Sequence, residues 1–155
     1  MHAKYLLYIS GLALAALLAA PREAIGVCSF NSTPGVDFGA YNVFNTSPTD
    51  STGSIIYTCF LQLTTITIDL SKGSAPSYFP RQMRKGAETM SYNLYLDAAR
   101  VSVWGDGTGG TSLYGPMFPP VLGSPVTVTV YGRIPASQNV SAGAYTDTIT
   151  ATINF

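Results

Sequence analysis

The residues that could carry out chemistry are few and widely spaced in this 155-residue chain. The single histidine is His2, so the rest of the chain offers no imidazole as a general base or a metal ligand. The acidic residues stand singly and not as the close carboxylate pair that glycoside hydrolysis requires. We therefore expect no catalytic residue, no metal site, no cofactor and no small-molecule substrate.

The two cysteines, Cys28 and Cys59, are the remaining reactive side chains. In an oxidising compartment an even number of cysteines is most simply explained by one disulfide. A loop of this size would stabilise the fold by about 3–4 kcal/mol in the chain-entropy model. Two separate thiols are the alternative, and neither would have a histidine to activate it.

The start of the chain indicates that the protein reaches such a compartment. Lys4 is followed by a nearly uncharged run over residues 5–20 that contains the sequence LALAALLAA. This pattern is typical of a secretory signal peptide, and the run is shorter than the roughly 20 apolar residues of a membrane span. We expect a signal peptide over residues 1–24, cleaved somewhere in 19–24, and one domain over residues 25–155. An uncleaved membrane anchor is the alternative.

The composition excludes two further classes of protein. With 46% hydrophobic and 10% charged residues, the chain is too apolar to be disordered and long enough to bury a core. Its 8 basic and 8 acidic residues balance, whereas a nucleic-acid-binding protein usually has a strongly basic face.

Segments rich in β-branched and aromatic residues alternate with turn-forming segments, and no helical apolar period is sustained. The predicted strands cover residues 26–30, 36–44, 54–60, 64–70, 90–97, 101–104, 125–134 and the final segment from 145 to 155. Short strands at this spacing favour an all-β, immunoglobulin-like sandwich of two antiparallel sheets. A closed barrel is the alternative.

Three local features refine this prediction. The apolar positions change phase between Leu63 and Ile66, which predicts a turn or bulge between two strands. The sequence WGDGTGG lacks the lysine of a phosphate-binding loop and predicts a hairpin turn with positive φ angles at its glycines. Those glycines are Gly105, Gly107, Gly109 and Gly110. The cluster of Arg81, Arg84 and Lys85 is expected to lie in a solvated loop, with an adhesive patch as the alternative.

In the final segment apolar residues alternate with polar ones. Its apolar positions are Tyr145, Ile149, Ala151, Ile153 and Phe155. This period of two predicts a strand with one buried face. The pattern fits a strand that closes a complete sandwich and equally one that borders an open groove.

Several motifs in order resemble one family. YNLYLDAAR, WGDGTGG, YGRIPA and AGAYTDTITATINF, together with the positions of both cysteines, resemble the spore coat protein U domain family. This family also supplies the pilin subunits of archaic chaperone-usher pili. The resemblance runs from about residue 26 to residue 155.

The resemblance implies a sandwich that lacks its last strand and is completed by a donor strand. A periplasmic chaperone would supply that strand first, and a neighbouring pilus subunit would replace it at the outer-membrane usher. The interface residues would be Tyr145, Ile149, Ala151, Ile153 and Phe155, with the Phe155 carboxylate held by basic residues of the chaperone. The implied function is a secreted structural subunit of a surface pilus or fibre that serves attachment and biofilm formation.

Even with cleavage after residue 20, only residues 21–27 would precede Cys28, which is short for a donor strand of about ten residues. We therefore expect the chain to accept a strand and not to donate one. The alternative is a secreted spore or cell coat component that does not form a linear fibre. A sandwich-fold enzyme or a carbohydrate-binding module is a third possibility, which would be a stable monomer with its own ligand site, and the missing histidine counts against the enzyme.

Overall fold

The computed structural model of the protein describes residues 26–120 and 122–155. The predicted signal peptide lies outside the described residues. Regular structure in the described ranges is entirely β, which confirms the predicted class, and they contain no helix that could cross a membrane. The strands are β1 (Val27–Ser32), β2 (Thr49–Phe60), β3 (Ile66–Leu70), β4 (Arg81–Lys85), β5 (Glu88–Tyr95), β6 (Tyr114–Met117), β7 (Val126–Ile134) and β8 (Ala151–Asn154).

The strands form two antiparallel sheets around one core. The larger sheet has the order β1-β2-β7-β5-β4, and the smaller has the order β6-β3-β8. The central pair, β2 and β7, stays in register from Thr49 opposite Ile134 to Tyr57 opposite Val126. Along β7, Val128 and Val130 are buried while Thr127 and Thr129 are exposed, because successive side chains point to opposite faces. The predicted immunoglobulin-like sandwich is therefore confirmed.

The disulfide between Cys28 and Cys59 is formed, as predicted. The two residues are directly opposite each other in the β1-β2 ladder, and both are buried. The predicted turn between β2 and β3 is also present, and Leu61 has a φ of 51° at its start. Of the four glycines in WGDGTGG, positive φ angles occur at Gly107, Gly109 and Gly110 but not at Gly105.

Two predicted strands are not strands in the structure. Residues 36–44 form an irregular segment, because Val36 and Phe38 turn inward to pack against the larger sheet. Residues 101–104 make only isolated bridges, in which Val103 pairs with Tyr95 and Trp104 with Ser112. Conversely, β4 and β6 were not among the predicted strands.

The expectation of a solvated loop around Arg81 is wrong. Arg81 begins β4 and is 0% exposed. Its Nε and Nη2 donate to the Ser71 carbonyl at 3.0 and 2.9 Å, Nη1 donates to Asn93 Oδ1 at 2.8 Å, and Nη2 also donates to the Trp104 carbonyl at 2.6 Å. Burial lowers the pKa of this guanidinium. Of the three basic residues, Arg81 alone is buried, since Arg84 is exposed and Lys85 is partly exposed.

We predict that Arg81→Met lowers the free energy of unfolding by about 3 kcal/mol or more, because several buried oxygen acceptors lose their donor. Urea denaturation of the oxidised protein measures the change. Arg84→Met is the matched control on the same strand, and it should change stability by less than about 1 kcal/mol because the Arg84 side chain is exposed. Equal stability of the two variants would contradict the structural role of Arg81.

We also predict that the double variant Cys28→Ala, Cys59→Ala loses about 3–4 kcal/mol of stability through loss of the cross-link. Denaturation of wild-type protein in reductant is the control, since it removes the bond and keeps both side chains. Reduced wild-type protein that is as stable as the oxidised form would show that the cross-link contributes little.

Candidate functional site

An open apolar groove lies against the core. Its volume is about 1170 Å³. The floor is formed by hydrophobic side chains of both sheets, namely Ile55, Leu70, Met83, Met90, Leu94 and Val130. Its two walls are chain segments outside the strands, residues 33–43 on one side and residues 140–149 on the other. The groove is thus an unfilled part of the core surface.

The first wall is the segment 33–43, part of which was predicted to be a strand. The Pro34 carbonyl accepts from the Ser54 amide of β2 at 3.2 Å, just beyond the point where β1 ends. Phe38 packs edge-on against Tyr92, with ring centroids 6.1 Å apart. A Cβ at residue 132 would lie 2.7 Å from the Phe38 ring, so the glycine at Gly132 makes room for this wall.

The second wall contains residues 140–147, which we call the strap. Two backbone hydrogen bonds fix it to the edge of β4, from Arg84 N to Thr146 O at 2.8 Å and from Thr146 N to Arg84 O at 3.1 Å. The strap therefore continues the larger sheet beyond its last strand before the chain crosses to the smaller sheet.

Glu88 fastens the strap to the β4-β5 hairpin. Its carboxylate accepts from Ser141 Oγ and from Tyr145 OH, at 2.5 and 2.9 Å, and pairs with Lys85 Nζ at 3.1 Å. Lys85 also lies over the Tyr145 ring and donates to the Ala142 carbonyl at 2.8 Å. The hydrogen bonds from Ser141, Lys85 and Tyr145 lower the pKa of Glu88 from 4.5 to about 2.

Asp147 fixes the point where the chain leaves the strap. Its Oδ1 accepts from the Ser74 and Thr148 amides, both at 2.9 Å, and its Oδ2 accepts from Tyr92 OH at 2.8 Å. Burial and this carboxylate together raise the pKa of Tyr92. Tyr92 lines the groove. Because its hydroxyl donates to Asp147, only its ring is left to face the groove as apolar surface.

Strand β8 follows Asp147 and has one strand neighbour. It pairs with β3, from Leu70 opposite Ala151 to Thr67 opposite Asn154. Within residues 26–120 and 122–155 no other strand pairs with it, so one edge of β8 is free to form a ladder. The predicted alternation is present in β8, since Ala151 and Ile153 are half-buried and their neighbours are exposed. The strand is shorter than the predicted 145–155, because residues 145–150 form the end of the strap and the crossing to the smaller sheet.

The structure brings together three of the five predicted interface residues. Tyr145, Ile149 and Ala151 line the groove. Ile153 packs against the core outside the groove, and Phe155 is 54% exposed. The sequence pattern predicted a strand over residues 36–44 and not a wall, and the attachment through Glu88 was not predicted, because contacts between distant segments leave no local pattern.

The groove offers shape and a largely apolar surface. In the described ranges, no three His, Cys, Asp or Glu residues gather as they would around a metal ion. An extended chain with alternating apolar side chains could place those side chains in the groove while its backbone pairs with β8.

The family model of the Spore Coat Protein U domain matches residues 14–152. The chain belongs to this family. It is 40% identical over 146 residues to Protein U of Myxococcus xanthus, an alignment that covers 84% of this chain and 78% of that protein. The family membership predicted from the sequence motifs is thus confirmed, and it implies a surface or extracellular location.

The fold is similar to that of a chain in a crystal structure from Acinetobacter baumannii. That structure is the pre-assembly complex of the CsuC chaperone and the CsuE tip adhesion subunit of archaic chaperone-usher Csu pili. The TM-score is 0.59 at 21% sequence identity, over 84% of this chain. This chain spans 40% of the length of that solved chain, and the likeness supports the fold.

We predict that acid releases the strap. Because the pKa of Glu88 is lowered, the stability that its carboxylate gives to the attachment of the strap is fully present above pH 4.5. This stability is lost as the pH falls towards 2. Hydrogen exchange of residues 140–147, corrected for the intrinsic rates, should therefore accelerate in acid. Glu88→Gln should show the faster exchange already near pH 6.

Asp97→Asn is the control for this experiment. The pKa of Asp97 is also lowered, by hydrogen bonds from Ser102 and Val101, but its carboxylate contacts the chain after β5 and not the strap. A strap that exchanges equally in wild-type protein and Glu88→Gln would show that Glu88 does not hold it.

Proposed function

We propose that this chain is an exported structural subunit of a chaperone-usher pilus or a related cell-surface fibre, with no enzymatic activity. The groove would accept an extended donor strand, first from a periplasmic chaperone and then from a neighbouring subunit at the outer-membrane usher. The fibre would serve attachment and biofilm formation.

One observation carries this proposal, the coincidence of an apolar groove with a free strand edge. The groove is lined by Ile149 and Ala151, and β8 begins at Ala151. A strand added beside β8 would satisfy its unpaired backbone groups and bury the groove floor in one step. The family membership and the fold shared with the Csu complex chain support the same mechanism.

A coat component that forms no linear fibre is the second candidate. The family name and the 40% identity to Protein U favour it. In this case the groove would be filled once, and the completed domain would be deposited on the surface without further donation.

The experiment is export of the protein to the periplasm with and without a chaperone of the archaic chaperone-usher class. Purified protein is then melted with a peptide of about ten residues in which Val and Thr alternate. We expect soluble yield to depend on the chaperone. Saturating peptide should raise Tm by about 10 °C, because ligation at a hundredfold excess over Kd adds about 2.7 kcal/mol.

Two controls isolate the groove. The same peptide with Pro at its central Val positions lacks the amides for strand pairing and should not raise Tm. Ile149→Asp places a charge in the groove and should abolish the effect, whereas Thr150→Asp changes the exposed neighbour and should preserve it. A stable monomer that ignores both chaperone and peptide would overturn the proposal.

A further inference from the structure

The exposed large apolar side chains concentrate at one end of the sandwich. We call this surface the apolar pole, and it consists of Val27, Phe60, Leu61, Leu63, Phe118 and Leu122. Each of these residues is more than half exposed, and Leu122 reaches 84%. None of them lines the groove, so the apolar pole is a separate surface.

Strand pairing places three of these residues in one row. Val27 is opposite Phe60 in the β1-β2 ladder, and Phe60 forms an isolated bridge with Leu122. The Gly123 amide donates to the Cys59 carbonyl at 3.1 Å, which fixes the chain beside Phe60. A Cβ at Gly123 would lie 2.3 Å from the Phe60 ring, so the ring rests directly on the glycine backbone.

The other three residues lie in connections at the same end. Leu61 and Leu63 follow the end of β2 in the connection to β3. Phe118 follows Met117, which pairs with Ile66 at the start of β3. Between the two leucines, Gln62 is buried and donates to Thr64 Oγ1 at 2.6 Å, so an internal hydrogen bond shapes this connection.

The apolar pole also lacks charged side chains. No Asp, Glu, Lys or Arg occurs in residues 54–68 or 112–132, which contain five of its six members, nor in residues 24–36 around Val27. Without basic residues the surface has no attraction for anionic lipid. Because these segments carry no charged side chain, two copies of the apolar pole bring no like-charged side chains from them together.

We propose that the apolar pole binds the apolar pole of a second copy of this chain in a two-fold symmetric, end-to-end pair. The six exposed residues offer on the order of 700 Å² of surface, close to the roughly 800 Å² that each partner buries in a standard stable interface. A two-fold contact requires only that one patch complement itself, as an uncharged apolar surface can. The pair leaves both grooves accessible and so presents two acceptor sites.

Sedimentation velocity of the exported, oxidised protein tests this proposal, with and without the alternating Val-Thr peptide. We expect a concentration-dependent dimer that persists when the peptide is present. Leu63→Glu and Leu122→Glu each put two like charges into the contact and should weaken dimerisation by at least about tenfold. Phe44→Glu is the matched control, because Phe44 is 89% exposed and lies outside the apolar pole, and it should dimerise normally.

Three results would overturn the proposal. The first is a protein that stays monomeric up to ~1 mM, a concentration at which a contact of useful affinity would be populated. The second is a dimer that the peptide dissociates. The third is a dimer that both Leu63→Glu and Leu122→Glu leave intact. A monomer that sediments with phosphatidylcholine vesicles would instead assign the surface to lipid. This test is independent of the donor-strand proposal. A peptide that does not raise Tm would contradict donor-strand binding in the groove, and a dimer that depends on the apolar pole could still be observed by sedimentation.

Discussion

A buried guanidinium connects the two sheets and organises the chain around the groove. Arg81 starts the edge strand β4 of the larger sheet, and it donates to the Ser71 carbonyl, just beyond the end of β3 in the smaller sheet. Ser71 in turn donates its amide to the Thr150 carbonyl at 2.9 Å, and its Oγ accepts from the Thr150 amide. The contact therefore extends from β4 through Ser71 to the residue that precedes β8. The path of the chain into β8 therefore depends on the hydrogen bonds that join Arg81, Ser71 and Thr150.

The same edge of β4 sets the shape of the groove. Arg84 pairs with Thr146, and Glu88 holds Tyr145, so the strap stays beside the larger sheet until Asp147. The chain then crosses to β3 and leaves the groove floor uncovered. The wall over residues 33–43 stands on the other side. Neither wall belongs to a strand, which leaves the apolar floor between them as a space with room for a further extended chain.

Local sequence patterns predicted the strands whose two faces meet different environments. The alternation of Val and Thr in β7 predicted a strand because one face meets the core and the other meets water. Residues 36–44 have a similar apolar content but pack through Val36 and Phe38 against Gly132, 94 or more positions away in sequence, and so form a wall. Strand β4 was missed for the opposite reason. Its charges predicted solvent exposure, whereas the acceptors that satisfy Arg81 are carbonyl groups distant in sequence.

The sequence by itself determined the all-β class, the disulfide, the family and the one-sided character of the final strand. These properties depend on residue type, the number of cysteines, a period of two and the order of motifs, none of which requires knowing which segments become neighbours. Only the tertiary structure decided that Arg81 is buried, that Glu88 holds the strap, that one edge of β8 is free and that six apolar residues from three parts of the chain share one end. Each of these depends on which segments become neighbours, and strand pairing between distant segments is set by the packing of the whole core and by no local pattern.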